Sequence, residues 1–486
     1  MAVVEALERH IVPAAAKKKI ADIVGAKSCL DKPEDLRLYE YDGSVEMARP
    51  DMVVFPRTTE EVAAIVKVAA EYEVPLVGRG AGTGLSGGAI PRAGGLTIAF
   101  SRMNRILEID IPNERAVVQP GVVNLDLSVA TAPLGYFYAP DPSSQRACTI
   151  GGNVAENSGG PHTLAYGVTT NHVTGMEFVT PAGDIVTTGG KELECPGFDV
   201  GGLLTGSEGT MVLVTKITVR LMRIPEKIKT ILAVYNSVLD CGDTVAEITA
   251  RAITPVALEM LDGEMLQMVE AATHAGYPLD AAAVLLIELE GTTEAVEAQT
   301  EQIREACERF GAREVRVAKT AEERDLLWKG RKNAFGAVGQ VSSSYYTQDG
   351  VVPRMQVAPA LRLITEVSQK YGLKIANVFH AGDGNLHPII LFNSHTPGEL
   401  EKVKAAGEEI LNFCIQVGGS ITGEHGVGME KSEMMPRLFS QDSLDCMARF
   451  KAIFDPSGRL NPGKVFPTGH GCLEIRQAPL NRRGMV

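Results

Sequence analysis

From Met52 the chain reads Met-Val-Val-Phe, an unbroken apolar run of strand length. Thr58 and Glu61 follow with the spacing of a capping box, and Val62, Ile65, Val66 and Ala69 then recur at i, i+3, i+4 and i+7, the stripe of an amphipathic helix. A second apolar run at residues 74–77 leads into a glycine-rich loop, so strand, helix and strand form one α/β unit. Ahead of it, residues 1–46 read as a polar, helix-rich N-terminal segment. The pattern changes near residue 226. Strand-length segments at 231–235 and 256–260 flank a helical stretch at 244–251, and segments at 283–289 and 314–317 flank another at 294–310. Two β-α-β pieces in tandem predict a split βαβ, ferredoxin-like sheet with helices on one face. Short strands bearing Pro and Gly resume after residue 349, and residues 468–486 form a polar, loosely ordered tail. The fold class is α+β, with one domain over 47–225 and a second over 226–467.

Length supports the division, because 486 residues exceed what one hydrophobic core fills. A net charge of -13 argues against a nucleic-acid partner, which calls for clustered Lys and Arg. The eight cysteines are scattered without a CxxC, so they indicate neither a zinc ribbon nor an iron–sulfur cluster and read as free thiols in a reducing compartment. With no cleavable apolar leader and no span of about twenty apolar residues, the expectation is a cytoplasmic protein whose membrane attachment, if any, comes through a partner.

The first glycine loop is Gly78-Arg79-Gly80-Ala81-Gly82-Thr83-Gly84-Leu85-Ser86-Gly87-Gly88. Gly82-x-Gly84-x-x-Gly87 formally matches the dinucleotide fingerprint, but a Rossmann loop opens a helix, and here the turn-forming Ile90-Pro91-Arg92-Ala93-Gly94-Gly95 follows. The composition suits a nest of backbone N–H groups around pyrophosphate. A second run joins Pro140-Asp141-Pro142-Ser143-Ser144 to Thr149-Ile150-Gly151-Gly152-Asn153 and on to Ser158-Gly159-Gly160, a backbone suited to lie flat against a ring or diphosphate. A third is Gly206-Ser207-Glu208-Gly209-Thr210. Three such loops, each beside a strand, converge on one long ligand, and FAD is long enough to need all three.

These segments, with 166–172, 327–335, 379–388, 418–431 and 454–466, resemble the vanillyl-alcohol-oxidase/p-cresol-methylhydroxylase superfamily. Within it the likeness is to the branch of glycolate oxidase D subunits and D-lactate and D-2-hydroxyglutarate dehydrogenases. The resemblance implies a two-subdomain FAD-binding domain of that type over 47–225, followed by a ferredoxin-like α+β substrate domain with a flavin-contacting C-terminal segment. It implies that Arg79, Gly80, Ala81, Gly82, Thr83, Ser86, Gly87, Pro140, Ser143, Thr149, Gly152, Asn153, Ser158, Gly160, Gly206, Glu208, Gly209 and Asn461 line the flavin. Some members attach FAD to a loop histidine; the first loop here has none, so non-covalent FAD is expected.

Residues 377–389, Asn-Val-Phe-His-Ala-Gly-Asp-Gly-Asn-Leu-His-Pro-Ile, predict a β-hairpin. With Asp383-Gly384 as the turn, His380 faces His387 at roughly 5 Å between Cβ atoms, and both imidazoles reach one metal ion. Two histidines satisfied by backbone carbonyls is the other reading of the same spacing. Gly423-Glu424-His425-Gly426-Val427-Gly428 adds an acid and an imidazole set among glycines. Glu424 completes a His₂–carboxylate site with positions open to substrate oxygens, and His425 stays free for proton transfer. The resemblance implies the same roles; zinc, manganese and iron(II) are not separated by such ligands. Arg331, by composition a helix-surface arginine, is by resemblance the clamp for the substrate carboxylate. Where hydroxyglutarate enzymes carry a lysine for the distal carboxylate, the matching position is Thr347, which implies a short monocarboxylate.

The function expected is therefore FAD-dependent oxidation of glycolate or D-lactate, with electrons passed to an iron–sulfur subunit or an electron-transferring flavoprotein. Two rivals stand beside it: a D-2-hydroxyglutarate-type dehydrogenase, and a non-catalytic FAD-binding subunit of a redox complex. The set His380, His387, Glu424 and His425 counts against the second, because a scaffold has no need of it.

Overall fold

The computed structural model describes residues 9–192 and 196–467; the expected tail at 468–486 lies outside them. The first sheet contains β1 (Cys29–Leu30), β2 (Met52–Val54), β3 (Leu76–Arg79) and β4 (Leu96–Ala99) in the order β1-β2-β4-β3, with β2 and β3 parallel to β4. The helix Thr59–Glu71 buries Val62, Ile65, Val66 and Ala69 against it. Thr58 caps this helix by accepting from the Glu61 N–H, whereas the Glu61 carboxylate reaches back to the Arg57 N–H at 2.6 Å, one residue beyond the capping-box position. The N-terminal segment carries the helices Ala14–Val24 and Pro33–Leu36 and also one strand. Its helix Ala14–Val24 adds Ala16 and Ile20 to the same core, but β1 pairs antiparallel with β2, occupying an edge that would otherwise present unpaired backbone groups.

Seven strands follow: β5 (Ile106–Asp110), β6 (Arg115–Val118), β7 (Tyr136–Phe137), β8 (Val173–Val179), β9 (Ile185–Gly189), β10 (Leu213–Arg220) and β11 (Met222–Arg223). They build an antiparallel sheet, β5-β6-β10-β8-β9, and a small β11-β7 ribbon. Along β10, Leu213, Thr215, Ile217 and Val219 are buried while the residues between them are not, the period-two pattern of a sheet with one covered face.

The second domain is built on β12 (Lys227–Tyr235), β13 (Ala257–Asp262), β14 (Ala283–Gly291), β15 (Ala312–Val317), β16 (Ser344–Thr347), β17 (Gly350–Val351), β18 (Lys374–His380) and β19 (Asn385–Phe392). The first four take the order β15-β12-β14-β13, the ferredoxin-like arrangement expected from the two β-α-β pieces. Beyond β13 the sheet continues through β18, β19 and β16, and β17, which pairs with β19, brings it to eight strands. Helices cover both faces, not one. Ile231, Ala233 and Tyr235 of β12 pack with the helices Val238–Ala250, Thr293–Arg309, Val357–Tyr371 and Glu399–Gln416. Leu232 and Val234 pack against Gly263–Thr273, Ala321–Lys332 and Ala334–Val341. Double coverage explains why the inner strands, such as β13, β14 and β19, read as nearly continuous apolar runs instead of alternating ones.

Candidate active site

A cavity of about 490 Å³ lies where the three glycine loops meet the second domain. Its wall includes Arg79, Gly80, Ala81, Gly82 and Thr83 from the first loop, Ser143, Thr149, Gly152, Asn153 and Ser158 from the second, and Glu208 and Gly209 from the third. The second run is not a flat loop throughout: Ile150–Glu156 is helical, with the Thr149 hydroxyl accepting from the Gly152 N–H. Glycine is required where the loops pack together. A Cβ on Gly80 would lie 2.4 Å from the Thr149 hydroxyl, and one on Gly82, at φ +72°, 2.2 Å from the Arg79 guanidinium. A long cradle of backbone and small polar side chains fits a dinucleotide flavin. We expect Gly82→Val to abolish FAD retention, measured as flavin absorbance comigrating with the protein on gel filtration; a fully loaded variant would contradict the assignment of this loop.

Six of the residues assigned to the flavin are not among those that line the cavity. The Ser86 hydroxyl donates to the His425 carbonyl at 2.9 Å, and Gly87 lies against the Met429 side chain. The Pro140 carbonyl accepts from Asn124 Nδ2 at 2.9 Å, and a Cβ on Gly160 would lie 2.5 Å from the Asp141 carbonyl. The Gly206 N–H donates to the Val154 carbonyl, and Asn461 Nδ2 donates to the carbonyls of Gly88 and Glu208 at 2.8 and 2.7 Å. These groups brace the loops against one another. Glu208 lines the cavity, and its carboxylate accepts from the N–H groups of Val427 and Gly428.

In the β18–β19 hairpin, His380 pairs with Asn385 and His387 with Val378, two residues away from the expected register, because residues 381–384 form a four-residue connection. Asp383 Oδ1 accepts from the Asn385 N–H inside that connection. An even shift leaves both histidines on one face, so they meet diagonally with ring centroids 5.0 Å apart. Their Nε2 atoms converge on one oxygen of Glu424, at 3.1 Å from His380 and 3.2 Å from His387. Their Nδ1 atoms face away, toward Glu259 at 2.9 Å and the Gln348 carbonyl at 3.3 Å. Paired outer contacts of this kind orient imidazoles as metal ligands, and the three donor atoms lie within 4.8 Å of one another, so the set fits a divalent cation. Burial favours a neutral His380, but Glu259 and Glu424 reverse this and hold it protonated; a bound cation would replace that proton.

The His425 ring stacks on His387 at 4.9 Å, and both Glu424 and His425 reach the cavity wall. Burial lowers the His425 pKa to about 4, leaving the imidazole neutral near neutral pH. Arg331 is not a surface residue: it is 1% exposed, is ion-paired with Glu259, and its Nε and Nη1 find no partner among the described residues. It lies beside the metal-ligand set, with Nη2 3.3 Å from His380 Nδ1, and its neighbour Lys332 reaches the cavity wall. Thr347 is buried and carries no charge.

Sequence reasoning missed Glu259 and Asp349. Glu259 is the lone acid within the apolar run Ala257-Leu258-Glu259-Met260-Leu261, a signal that was available. Asp349 is fully buried, and burial would raise its pKa, but His425, Lys431 and His387 hold it below the usual carboxylate range. It also missed His162, which bridges Asp141 at 2.8 Å and Glu288 at 3.2 Å across the two domains.

Residues 50–189 match the family described as FAD binding domain, and residues 224–465 match FAD linked oxidases, C-terminal domain. The chain is 47% identical over 447 residues to the glycolate oxidase subunit GlcD of Escherichia coli (strain K12), covering 92% of this chain and 90% of that protein. It is 33% identical to a D-lactate dehydrogenase of Anaerostipes hadrus over 86% of this chain and 90% of the relative. A solved structure of p-cresol methylhydroxylase with substrate bound superposes with a TM-score of 0.79 at 19% identity, over 94% of this chain and 98% of that one. The glycine cradle and the two matched domains converge on one conclusion: this chain belongs to the FAD-linked oxidases.

Proposed function

We propose that the chain oxidises a small D-2-hydroxy acid, glycolate or D-lactate, to the corresponding 2-oxo acid. The observation that carries this reading is the meeting of Glu424 and His425 with the glycine-lined cradle in one cavity, backed by His380 and His387. Bound FAD supplies a two-electron hydride acceptor, and a divalent cation held by His380, His387 and Glu424 supplies Lewis acidity. His425 accepts the substrate hydroxyl proton through its neutral ring, while the Cα hydride leaves in the opposite sense and the C–O bond becomes a carbonyl. Arg331, buried with donors to spare, holds the substrate carboxylate. An uncharged Thr347, and the half-buried Phe335 and Tyr345 on the cavity wall, favour a short monocarboxylate over hydroxyglutarate. The GlcD relatives are named as subunits, and we infer that electrons pass to a partner chain, an iron–sulfur subunit or an electron-transferring flavoprotein. Among the described residues no helix is long and apolar enough to cross a membrane, in keeping with a cytoplasmic protein attached, if at all, through that partner.

Arg331→Lys tests the substrate end of this reading. A compact ammonium cannot reproduce the planar fork, so KM for the hydroxy acid should rise by at least about tenfold with the flavin spectrum intact. Unchanged steady-state kinetics would remove Arg331 from the site.

A further inference from the structure

The loop of residues 422–428 carries both Glu424 and His425, and its backbone is hydrogen-bonded along nearly its whole length. The Gly423, Glu424 and His425 N–H groups donate to the Asp349 carboxylate at 3.1, 3.3 and 2.9 Å, as do the Thr422 hydroxyl at 2.5 Å and Lys431 Nζ at 3.3 Å. Lys431 also donates to the Gly426 carbonyl at 3.2 Å. The acceptor then changes domain: the Val427 and Gly428 N–H groups each donate at 2.7 Å to one oxygen of Glu208. Ser86 holds the His425 carbonyl, and the Val465 N–H holds that of Gly428.

We infer that this loop is suspended between two buried carboxylates, Asp349 of the second domain and Glu208 of the first, and that both are positioning residues setting His425 against the flavin cavity. The inference rests on the proposed role of His425. A loop containing Gly423, Gly426 and Gly428, two of them at positive φ, has little conformational preference of its own, so its acceptors determine its path. Both acceptors lie out of water, where charge-assisted hydrogen bonds to N–H groups are strong. Glu208 also forms part of the cavity wall, with its backbone at φ +53°. The surface that faces the flavin and the loop that carries the base thus share one residue. An amide at either position would turn donors toward a ring of donors, and the loop would have to move. Displacement by about 1 Å costs on the order of 10² in rate.

The test uses FAD-loaded Asp349→Asn and Glu208→Gln, comparing hydrogen–deuterium exchange over 422–428 with anaerobic single-turnover flavin reduction. Asp349→Asn should expose the amides of 423–425 and Glu208→Gln those of 427–428. Each should slow reduction about 10²-fold, with flavin retained and the apparent substrate Kd changing far less. A purely structural role would instead appear as flavin loss with exchange raised across the domain. Wild-type exchange over the loop, or a deprotected loop with reduction at wild-type speed, overturns the inference. If Asp349→Asn does not fold, Glu208→Gln decides it. A wild-type protein reduced by no hydroxy acid would overturn the proposed activity, while the exchange pattern would still decide the anchors.

Discussion

His425→Ala is expected to slow flavin reduction by roughly 10²–10⁴-fold while leaving both FAD and metal bound. His425 is on the cavity wall, whereas the glycine loops that cradle FAD keep their own packing, so its loss should not disturb flavin retention. Nor does the variant remove a donor from the His380, His387 and Glu424 set. What it removes is the neutral imidazole that takes the hydroxyl proton, and no other histidine is on the cavity wall among the described residues. Flavin content, elemental analysis and stopped-flow reduction on one preparation separate these effects. A variant that reduces at wild-type speed would transfer the base role elsewhere. A variant that loses its metal would show that His425, with Asp349 and His387, contributes to an alternative donor group whose atoms also lie within 4.8 Å of one another.

Single alanine substitutions of His380, His387 or Glu424 should each lower metal content and turnover together, with FAD retained. Removing an outer partner of a metal ligand costs about 10–100-fold in affinity or activity, and removing a ligand should cost at least as much. The three substitutions should behave alike, because the two Nε2 atoms meet at one Glu424 oxygen. Chelation of the wild type should reproduce the loss, and added zinc, manganese or iron(II) should reverse it. Full activity in a metal-free wild type would dissolve the ligand assignment. His380 would then be a histidine satisfied by the Glu259 carboxylate, and only His387, on the Gln348 carbonyl, would match the backbone-carbonyl alternative that the hairpin spacing left open.

How far the sequence could be read follows from the range of the interactions involved. The first glycine loop was legible because only glycine tolerates the approach of Thr149 and Arg79, so the requirement is written locally. The order β15-β12-β14-β13 was legible because β12, β13 and β14 are largely apolar runs and the strands come as two pairs, each with a helix between. The hairpin register was off by two, since Asp383-Gly384 suits a tight turn equally well, but parity survived and with it the shared face. Depth was not legible. Ser86, Gly87, Pro140, Gly160, Gly206 and Asn461 belong to the same motifs as the wall residues but do not line the cavity, and motif membership does not say which residues face it. Least accessible was Asp349, whose partners from Thr422 to Lys431 lie 73–82 positions further along the chain.

The central claim, hydride transfer from a small D-2-hydroxy acid to FAD in this cavity, is tested most directly by mixing the FAD-loaded protein anaerobically with glycolate, D-lactate, L-lactate and D-2-hydroxyglutarate. The visible flavin absorbance is followed without any added electron acceptor. Rapid, complete bleaching by glycolate or D-lactate, with L-lactate and D-2-hydroxyglutarate slower by at least about tenfold, is the predicted result. A fully loaded protein that keeps its yellow colour with all four, or bleaches faster with D-2-hydroxyglutarate than with either short acid, would contradict it.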